Sequence, residues 1–439
     1  MKAKKALGVL LAGLLAAGAL AGCSSGTSNS SAPESGSDSQ GSSTAESQAP
    51  AEASEVDIWY YWETEKHQET LDRVIGEYND SQDAVSVSAK YIPFADFKKQ
   101  LSIGASAAEL PDLVIIDSPD HASYAAMGIF ADISDKVSDW DGIDQYYEGP
   151  LNSCKLDDKL YGLPFGSNCL ALFYNEDMLA DAGCEAPTTW DELMEAGAVF
   201  AENGVTTLNV GSKLGNPSHF FFNEIVCQFS SGVEDVNNLM SYDTATFDTE
   251  AMRYAAKLIE KMVDAGLFAD DTLGSTGDWD PSTVYYDEGY AAMCYTLSWQ
   301  FSSFSEETLA KSQIIGIPQI AETDREANHI QGTTNDCYEI SAASWSDTSK
   351  QDAIVALMDF LLWDYEGAGA KAGYNITVDQ KLNEEVDTSA LSTPLMTDVL
   401  NWRDENDIQI DPMIWQSLPS LATQTDYCNA LDELWAGTI

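Results

Sequence analysis

The sequence predicts an α/β fold of two doubly wound lobes, and three observations support this prediction. The chain has 439 residues, which exceeds one ordinary core and suits two lobes of common domain size. Strand and helix patterns alternate between residues 56 and 116, and this alternation indicates a parallel sheet covered by helices. A second alternating series begins at residue 169, which predicts a second lobe with a cleft between the two.

The first series is read from the period of its apolar residues. Its strands are predicted at 56–62, 85–91 and 112–116, and its helices at 65–79 and 96–108. The last of these strands is continuously apolar, as is typical of a strand buried on both faces. Ligands bind beyond the carboxyl ends of the strands in such sheets, so the loops after the first and third strands are candidate site loops.

The second series is longer and ends in helices. Strands are predicted at 169–174, 206–210, 290–295, 314–317 and 337–342, and helices at 219–230, 252–263, 350–363, 393–404 and 420–435. Thr189 and Glu192 fit a capping box that opens a further helix, and Gly266 fits a helix end. A Gly-x-Gly-x-x-x-Gly run at 367–373 lacks the dinucleotide-binding spacing, and we interpret it as another helix end.

The beginning of the chain predicts export and a membrane anchor. Three lysines precede an uncharged apolar run at 6–22, which as a helix reaches only about 26 Å and falls short of a hydrocarbon core of ~30 Å. Residues 1–22 are therefore predicted to be a signal peptide. The sequence Leu-Ala-Gly-Cys at 20–23 resembles the lipobox of bacterial lipoproteins, which implies that Cys23 is lipidated.

Residues 23–54 are predicted to form a lipidated cysteine followed by a disordered tether. Ser occupies 12 of the 31 positions after Cys23, and aromatic residues, Leu, Ile and Val are absent there. Such a segment cannot bury enough surface to offset its ordering entropy. The folded body is therefore expected to begin near Glu55.

The charge balance argues against some partners. There are 21 Lys and Arg against 72 Asp and Glu, which gives a net charge of −51. Such a chain repels nucleic acid and anionic membrane surfaces, so we expect no nucleic-acid partner. The acidity is interpreted as a solubilising surface, and a cationic ligand remains the alternative.

Eight cysteines are present. Apart from Cys23 they are Cys154, Cys169, Cys184, Cys227, Cys294, Cys337 and Cys428. Their spacing is wide, irregular and without a C-x-x-C motif, so neither a zinc ribbon nor a redox motif is indicated. We expect small buried thiols, with one or more disulfides as the alternative.

Catalytic and metal-binding patterns are absent from the sequence. There is no G-x-S-x-G, H-E-x-x-H or Walker A motif, and the four histidines are scattered. We therefore expect no catalytic residue, no metal and no cofactor. Carboxylate pairs are uninformative among 72 acids, so a surface glycoside hydrolase stays open as a remote alternative.

Six short segments occur in a familiar order. They are WYYWE at 59–63, LPDLV at 110–114, KLYGLP at 159–164, FYNED at 173–177, PTTWDEL at 187–193 and the segment 289–299 that ends in Trp. Together they resemble the extracellular solute-binding proteins of family 1, the class that contains maltose-binding protein. The resemblance covers essentially all of residues 55–439.

The resemblance implies a periplasmic-binding-protein type II-like fold, in which three crossings join two lobes. The crossings fall near 166–168, 331–335 and 374–378. Lobe 1 is then 55–165 plus 335–375, and lobe 2 is 166–334 plus 376–439. These names are used for the two lobes below.

The resemblance also implies a function. The chain is expected to be a monomeric substrate-binding lipoprotein at the extracytoplasmic face of the cell membrane. It would capture a mono- or oligosaccharide in the cleft and deliver it to the permease subunits of an ABC importer. A binding protein for a cationic solute such as a polyamine is the alternative within transport, since the acidic side chains would then be direct partners.

Sugars stack their C–H faces on aromatic rings and pair their hydroxyls with polar side chains. The positions that the resemblance assigns to the site are Trp62, Glu63, Asp117, Ser118, Asp120, Asn168, Phe222, Asn223, Trp299, Thr333, Asn335, Asp336 and Trp415. Each has a structural alternative, such as core packing for the aromatic residues or helix capping for the aspartates. The family's GGWG segment is GTTN at 332–335, so one aromatic platform is missing, and Trp415 is the candidate replacement. This departure favours a small ligand, or one held more by polar groups, over a long stacked oligosaccharide.

Overall fold

The computed structural model describes residues 53–61, 65–107, 109–212, 217–239, 245–269, 280–331, 335–372, 376, 378, 380–385, 394–418 and 420–439. The strands are β1 (Ser54–Tyr60), β2 (Val85–Tyr91), β3 (Leu113–Asp117), β4 (Lys155–Leu156), β5 (Lys159–Leu160), β6 (Gly162–Ser167), β7 (Leu170–Asn175), β8 (Thr206–Leu208), β9 (Ala291–Leu297), β10 (Ser312–Ile315), β11 (His329–Gln331), β12 (Asn335–Ile340) and β13 (Gln409–Asp411).

The helices are α1 (Glu65–Ser81), α2 (Phe94–Ala107), α3 (Ser118–Ala126), α4 (Ser134–Val137), α5 (Glu148–Ser153), α6 (Glu176–Ala182), α7 (Trp190–Glu202), α8 (Ser218–Val226), α9 (Ser230–Asn238), α10 (Glu250–Asp264), α11 (Asp280–Asp287), α12 (Glu306–Lys311), α13 (Ala342–Trp345), α14 (Thr348–Ala372), α15 (Gln380–Glu385), α16 (Pro394–Glu405), α17 (Ile414–Ser417) and α18 (Leu421–Trp435). Two 3₁₀ helices span Asp141–Gln145 and Ser298–Ser303.

Lobe 1 is built on a five-stranded sheet with the order β2-β1-β3-β12-β6. The first three strands are parallel, as their alternation with helices predicts, whereas β12 runs antiparallel to both of its neighbours. The direction differs because β12 enters from lobe 2 and is not the end of a strand–helix–strand unit. Its side chains join the core that β1, β3, α1 and α14 form.

Lobe 2 is built on a four-stranded sheet with the order β10-β7-β9-β8. Only β8 and β9 are parallel, and the other two pairings are antiparallel. The core beside this sheet contains residues of α7, α8, α10 and the C-terminal helices α16 and α18. The two hydrophobic cores are separate clusters, so each lobe packs around its own centre.

Three chain segments lie side by side where the lobes join. Ser167 pairs with Asn335 at the end of the β6–β12 ladder. It also pairs with Ile376, and the two residues exchange backbone hydrogen bonds of 2.8 Å in both directions. Each predicted crossing therefore contributes a residue to one narrow connection. Val378 packs in the core of lobe 1, which ties the end of the third crossing to that lobe.

Local sequence signals explain several helix boundaries. The predicted capping box at Thr189 and Glu192 is present at the start of α7. The helix predicted at 219–230 ends earlier, at Val226, and a second helix, α9, begins at Ser230. A Cβ on Gly232 would lie 1.9 Å from the carbonyl oxygen of Val226, so only glycine lets α9 approach the end of α8 this closely. The helix end predicted at the glycine run 367–373 is confirmed, since α14 passes through the first two glycines and ends at Ala372, directly before the third.

The predicted leader is not part of this description. Residues 1–22, Cys23 and the tether up to residue 52 lie outside the described residues. In the described part, no helix combines the length and the apolar content that crossing a membrane requires.

Candidate functional site

Trp299 lies at the interface of the two lobes, beside the first crossing. Leu170 and Leu297 are register partners in the β7–β9 ladder, so residues 168 and 299 continue from neighbouring strand ends. The half-buried Trp299 ring belongs to lobe 2 and packs against its core. Across the interface it meets the ring of His67 on α1, with centroids 5.8 Å apart at 61°.

Trp415 forms a second contact between the lobes. The ring of His219 on α8 stacks on it at 4.8 Å and 27°, and both residues belong to lobe 2. From lobe 1, the ammonium group of Lys98 on α2 lies over the same ring, 4.6 Å from its centroid. A cation over an aromatic face is an attractive contact, so this pair favours the approach of the lobes.

The segment that carries Trp415 is held by Asn223. The Asn223 amide nitrogen donates to the carbonyl oxygen of Pro412 at 3.1 Å, and its amide oxygen accepts from the backbone N–H of Ile414 at 2.7 Å. Asn223 is buried, and these two bonds fix the entry into α17. The described contacts therefore give Asn223 a positioning role beneath the interface.

Two buried histidines lie behind the aromatic rings. Burial lowers the pKa of His67 to about 3 and, with a further contribution from the Lys98 charge, lowers the pKa of His219 to about 3. Both imidazoles are therefore neutral at pH 7. A neutral ring lets a tryptophan pack against it without the cost of burying a charge.

Polar side chains gather where the first crossing meets lobe 2. Asn168 is only 2% exposed. The Ser298 hydroxyl accepts a hydrogen bond of 3.1 Å from the backbone N–H of Cys169, which joins the crossing to the segment before Trp299. Gln300 is also fully buried. These groups have the donors and acceptors that a polar ligand requires.

A second polar group lies at the strand ends of lobe 1. Asp336 on β12 is the register partner of Asp117, the last residue of β3, and Asp336 is largely buried. Asp117 is followed directly by the first turn of α3, which contains Ser118 and Asp120. The side chains of these three residues and of Asn335 lie outside the described part.

The remaining predicted site residues are not seen at the interface of the lobes. Trp62, Glu63 and Thr333 lie outside the described residues. Phe222 is buried in the core of lobe 2, where its ring meets Tyr427 at 6.1 Å in an edge-on arrangement.

Three residues of the interface were not predicted from the sequence: His67, Lys98 and His219. A signal for His67 was present, because it precedes Leu71 and Val74 by four and seven residues and shares their buried face of α1. His219 begins an apolar run of three phenylalanines, which indicates burial. The contact of Lys98 depends on lobe closure, and no local pattern records it.

One group of side chains in the described part has donors close enough to hold a metal ion. It consists of Cys154, Cys337 and Glu339, all buried in lobe 1. It is separate in sequence and in packing from the tryptophans of the interface.

The fold and the interface define a class of protein. Two lobes with separate cores are joined by three adjacent segments, and aromatic and polar side chains face each other across the gap. This is the architecture of a two-lobed ligand-binding protein, in which a small ligand is enclosed between the lobes. The chain belongs to the family of bacterial extracellular solute-binding proteins, since the sequence model of that family matches residues 61–363.

Comparisons with individual proteins agree with this family. A putative binding protein of Brucella abortus (strain 2308) is 26% identical over 187 residues, which are 42% of this chain and 44% of that protein. The match thus spans less than half the length of that relative. The galactooligosaccharide-binding protein of Bacillus subtilis (strain 168) is 23% identical over 302 residues, or 67% of each chain.

A solved structure from work on xylan utilization by the thermophilic bacterium Caldanaerobius polysaccharolyticus has the same fold. It superposes with a TM-score of 0.78 at 20% identity, and the match covers 88% of this chain and 96% of that one. The likeness confirms the predicted two-lobed α/β architecture.

Proposed function

We propose that this chain is the substrate-binding lipoprotein of an ABC importer and captures a mono- or oligosaccharide between its lobes. Family membership supports the binding role. The relative from Bacillus subtilis is named for galactooligosaccharide binding, and the similar structure comes from work on xylan utilization, so both support a carbohydrate. Binding without turnover is part of the proposal.

The observation that carries the proposal is the placement of Trp299. Its ring is anchored by the core of lobe 2 and reaches the interface, with buried Ser298 next to it in the chain and buried Asn168 at the end of the neighbouring strand. A flat ring next to hydrogen-bonding groups suits a sugar, which has an apolar face and hydroxyl edges. His219 stacks on the Trp415 ring and Lys98 lies over it, whereas His67 meets Trp299 in an edge-on arrangement, so we assign the stacking role to Trp299 and a closure role to Trp415.

Closure links binding to transport. A ligand that contacts both lobes only in the closed state shifts the population towards that state. The closed form presents a different surface to the permease subunits than the open form does. Delivery of the sugar then follows recognition of the closed form.

Anchoring is proposed from the sequence alone. Removal of residues 1–22 would leave lipidated Cys23 as the new N-terminus at the extracytoplasmic face of the cell membrane, and the acyl chains, palmitate among them, would hold a monomer there. Labelling with a palmitate analogue tests this step. We expect label on the wild-type chain and none on Cys23→Ser, which would be released from the membrane.

Calorimetry with a panel of sugars is the direct test of ligand class. We expect heat of binding with at least one mono- or oligosaccharide, without release of cleaved product on long incubation. Trp299→Ala should weaken that binding at least about fivefold, or ~1 kcal/mol, because the stacking surface is lost. Unchanged affinity would reject the stacking role.

Trp345→Ala is the matched control. Trp345 packs against the core of lobe 1 on α13, which follows β12. It lies beyond the end of a strand that leads about 17 Å away from the crossing at Asn335. Sugar affinity should be unchanged in this variant. If no sugar binds and a polyamine does, with affinity that falls steeply with salt, the cationic-solute alternative replaces the sugar.

A further inference from the structure

Cys154 and Cys337 meet inside lobe 1 although 183 residues separate them in the chain. Cys154 directly follows α5, and Cys337 lies on β12. Both side chains are 0% exposed, and their sulfur atoms are 2.9 Å apart. Along the chain, Cys154 precedes the segment 166–334 that belongs to lobe 2, and Cys337 follows it.

Strand β6 holds both cysteines in place. The backbone N–H of Tyr161, next to the start of β6, donates to the carbonyl oxygen of Cys154 at 3.1 Å. Pro164 on β6 is the register partner of Cys337. Because one strand sets the position of both residues, the approach of the sulfurs follows from the sheet and not from flexible side chains alone.

The sulfur separation distinguishes two chemistries. A disulfide has an S–S bond of about 2.05 Å. Two thiolates on a tetrahedral zinc ion, each about 2.3 Å from the metal, lie ~3.7 Å apart. At 2.9 Å the pair must move together by less than 1 Å to bond, whereas a bridging ion would push the sulfurs apart.

The surroundings also favour an uncharged product. The Glu339 carboxyl group has an oxygen within 4.8 Å of both sulfurs, and its Oε1 lies 2.6 Å from Nδ1 of His121. Burial, with a contribution from Glu339, raises the pKa of both thiols. Metal ligation needs thiolates, which this buried acidic environment disfavours, while a disulfide carries no charge.

We propose that Cys154 and Cys337 form a disulfide bond that closes lobe 1 around the neck of the inserted lobe 2. The reaction forms one S–S bond and breaks two S–H bonds. The two electrons and two protons pass to an oxidised dithiol partner, such as an extracytoplasmic thiol oxidoreductase, whose own disulfide is reduced. The proposal uses the export step of the proposed function, because disulfides persist in extracytoplasmic compartments.

The bond has a predictable effect on stability. The closed loop contains lobe 2 from the first crossing to the second, so the bond restricts a long segment of the unfolded chain. Neither cysteine belongs to the interface of the lobes. The bond should therefore raise the melting temperature and leave ligand affinity unchanged.

Peptide mapping is the primary test. The exported full-length chain is denatured and alkylated with iodoacetamide, with or without prior reduction by a phosphine. Without reduction we expect Cys154 and Cys337 to escape alkylation and to appear in one cross-linked tryptic peptide. Full alkylation of both cysteines in the unreduced chain overturns the proposal.

Melting temperatures of matched variants, measured with and without reductant, are the second test. Reduction should lower the melting temperature of the wild-type chain by about 5 °C, while Cys154→Ala and Cys337→Ala should show no response to reductant. Cys294→Ala is the control, since Cys294 is a buried thiol on β9 of lobe 2. It should keep the full response.

Two further outcomes separate this proposal from its alternatives. Stoichiometric zinc by elemental analysis, lost in Cys337→Ala, would replace the disulfide with a metal site. Sugar calorimetry on oxidised and reduced preparations tests the proposed function independently, since binding in both states with no cross-linked peptide would overturn only the disulfide.

Discussion

The two lobes contribute different chemistry to their shared interface. Lobe 2 contributes the rings of Trp299 and Trp415, which its core and the amide of Asn223 hold in place. Lobe 1 contributes His67 and Lys98 from two helices near its N-terminus. The difference indicates a division of labour, in which lobe 2 offers a fixed binding surface and lobe 1 completes it on closure.

The lobes also differ in their internal ion pairs. In lobe 2, Arg325 forms two hydrogen bonds of 2.7 and 2.8 Å to the Asp411 carboxylate, and it also contacts His329. The Asp411 side chain is 5% exposed. In lobe 1, Lys350 pairs with Asp112, whose side chain is 6% exposed, but the Lys350 side chain is one-third exposed, against 12% for Arg325. Of these two pairs, the one in lobe 2 is therefore the more buried, because its cation is less exposed, and it joins β13 to the segment before β11.

The largest effect is expected from breaking that buried pair. Arg325→Ala removes both guanidinium hydrogen bonds from the buried Asp411 carboxylate, which costs about 3–5 kcal/mol of unfolding free energy. Lys350→Ala should cost less, about 1–2 kcal/mol, because the Lys350 side chain is one-third exposed and the Asp112 carboxylate keeps the backbone N–H of Asp57 as a donor at 3.0 Å. Chemical denaturation measures both. Equal losses in the two variants would show that the lobes do not differ in this way.

A smaller effect on the free energy of unfolding is expected from His67, the neutral histidine that lobe 1 contributes to the interface. The pKa of His67 is about 3 in the folded chain and 6.5 in its ordinary state. Between these values the unfolded chain binds a proton that the folded chain does not, so the free energy of unfolding falls as the pH falls. One such histidine accounts for about 1.3 kcal/mol between pH 7 and pH 5.5.

His67→Gln should remove that part of the pH dependence. The measurement is the free energy of unfolding against pH for the variant and the wild-type chain. The two slopes should coincide above pH 7.5, where His67 is neutral in both the folded and the unfolded wild-type chain. Identical slopes below pH 6.5 would contradict the burial of a neutral His67 against Trp299.

The smallest effect is expected from the cation at the interface. Lys98→Met removes a cation from the Trp415 ring and should weaken ligand affinity about two- to fivefold, because the closed state loses ~0.5–1 kcal/mol. Lys90→Met is the control, since the Lys90 ammonium lies over Trp59 at 4.8 Å within lobe 1. Calorimetry should show no change in the control, and an equal loss in both variants would contradict a role in closure.

Strongly periodic segments could be predicted from the sequence. The β1–α1–β2–α2–β3 series of lobe 1 follows alternation that is visible residue by residue, and its parallel pairing is confirmed. The antiparallel entry of β12 depends on a partner more than 170 residues away, which no local pattern records. The early end of the helix predicted at 219–230 was also missed, since α8 ends at Val226 and α9 begins at Ser230.

The candidate site was less predictable than the fold. The assignment of Trp299 came from a resemblance, and its contact with His67 required the two lobes to be placed together. Asn223 illustrates the limit, because a buried amide suits a ligand or a backbone segment equally well in sequence, and the structure gives it Pro412 and Ile414. The exact lobe bounds and the ligand contacts remain predictions.

The position of β12 between β3 and β6 has a consequence for the order in which a nascent chain folds. All four strands of the larger sheet in lobe 2 lie between residues 170 and 315, so that sheet is complete before β12 has been translated. Until then the earlier-translated lobe carries two unpaired strand edges, which are sites for wrong pairing. The first lobe to be translated is thus the second to complete its sheet.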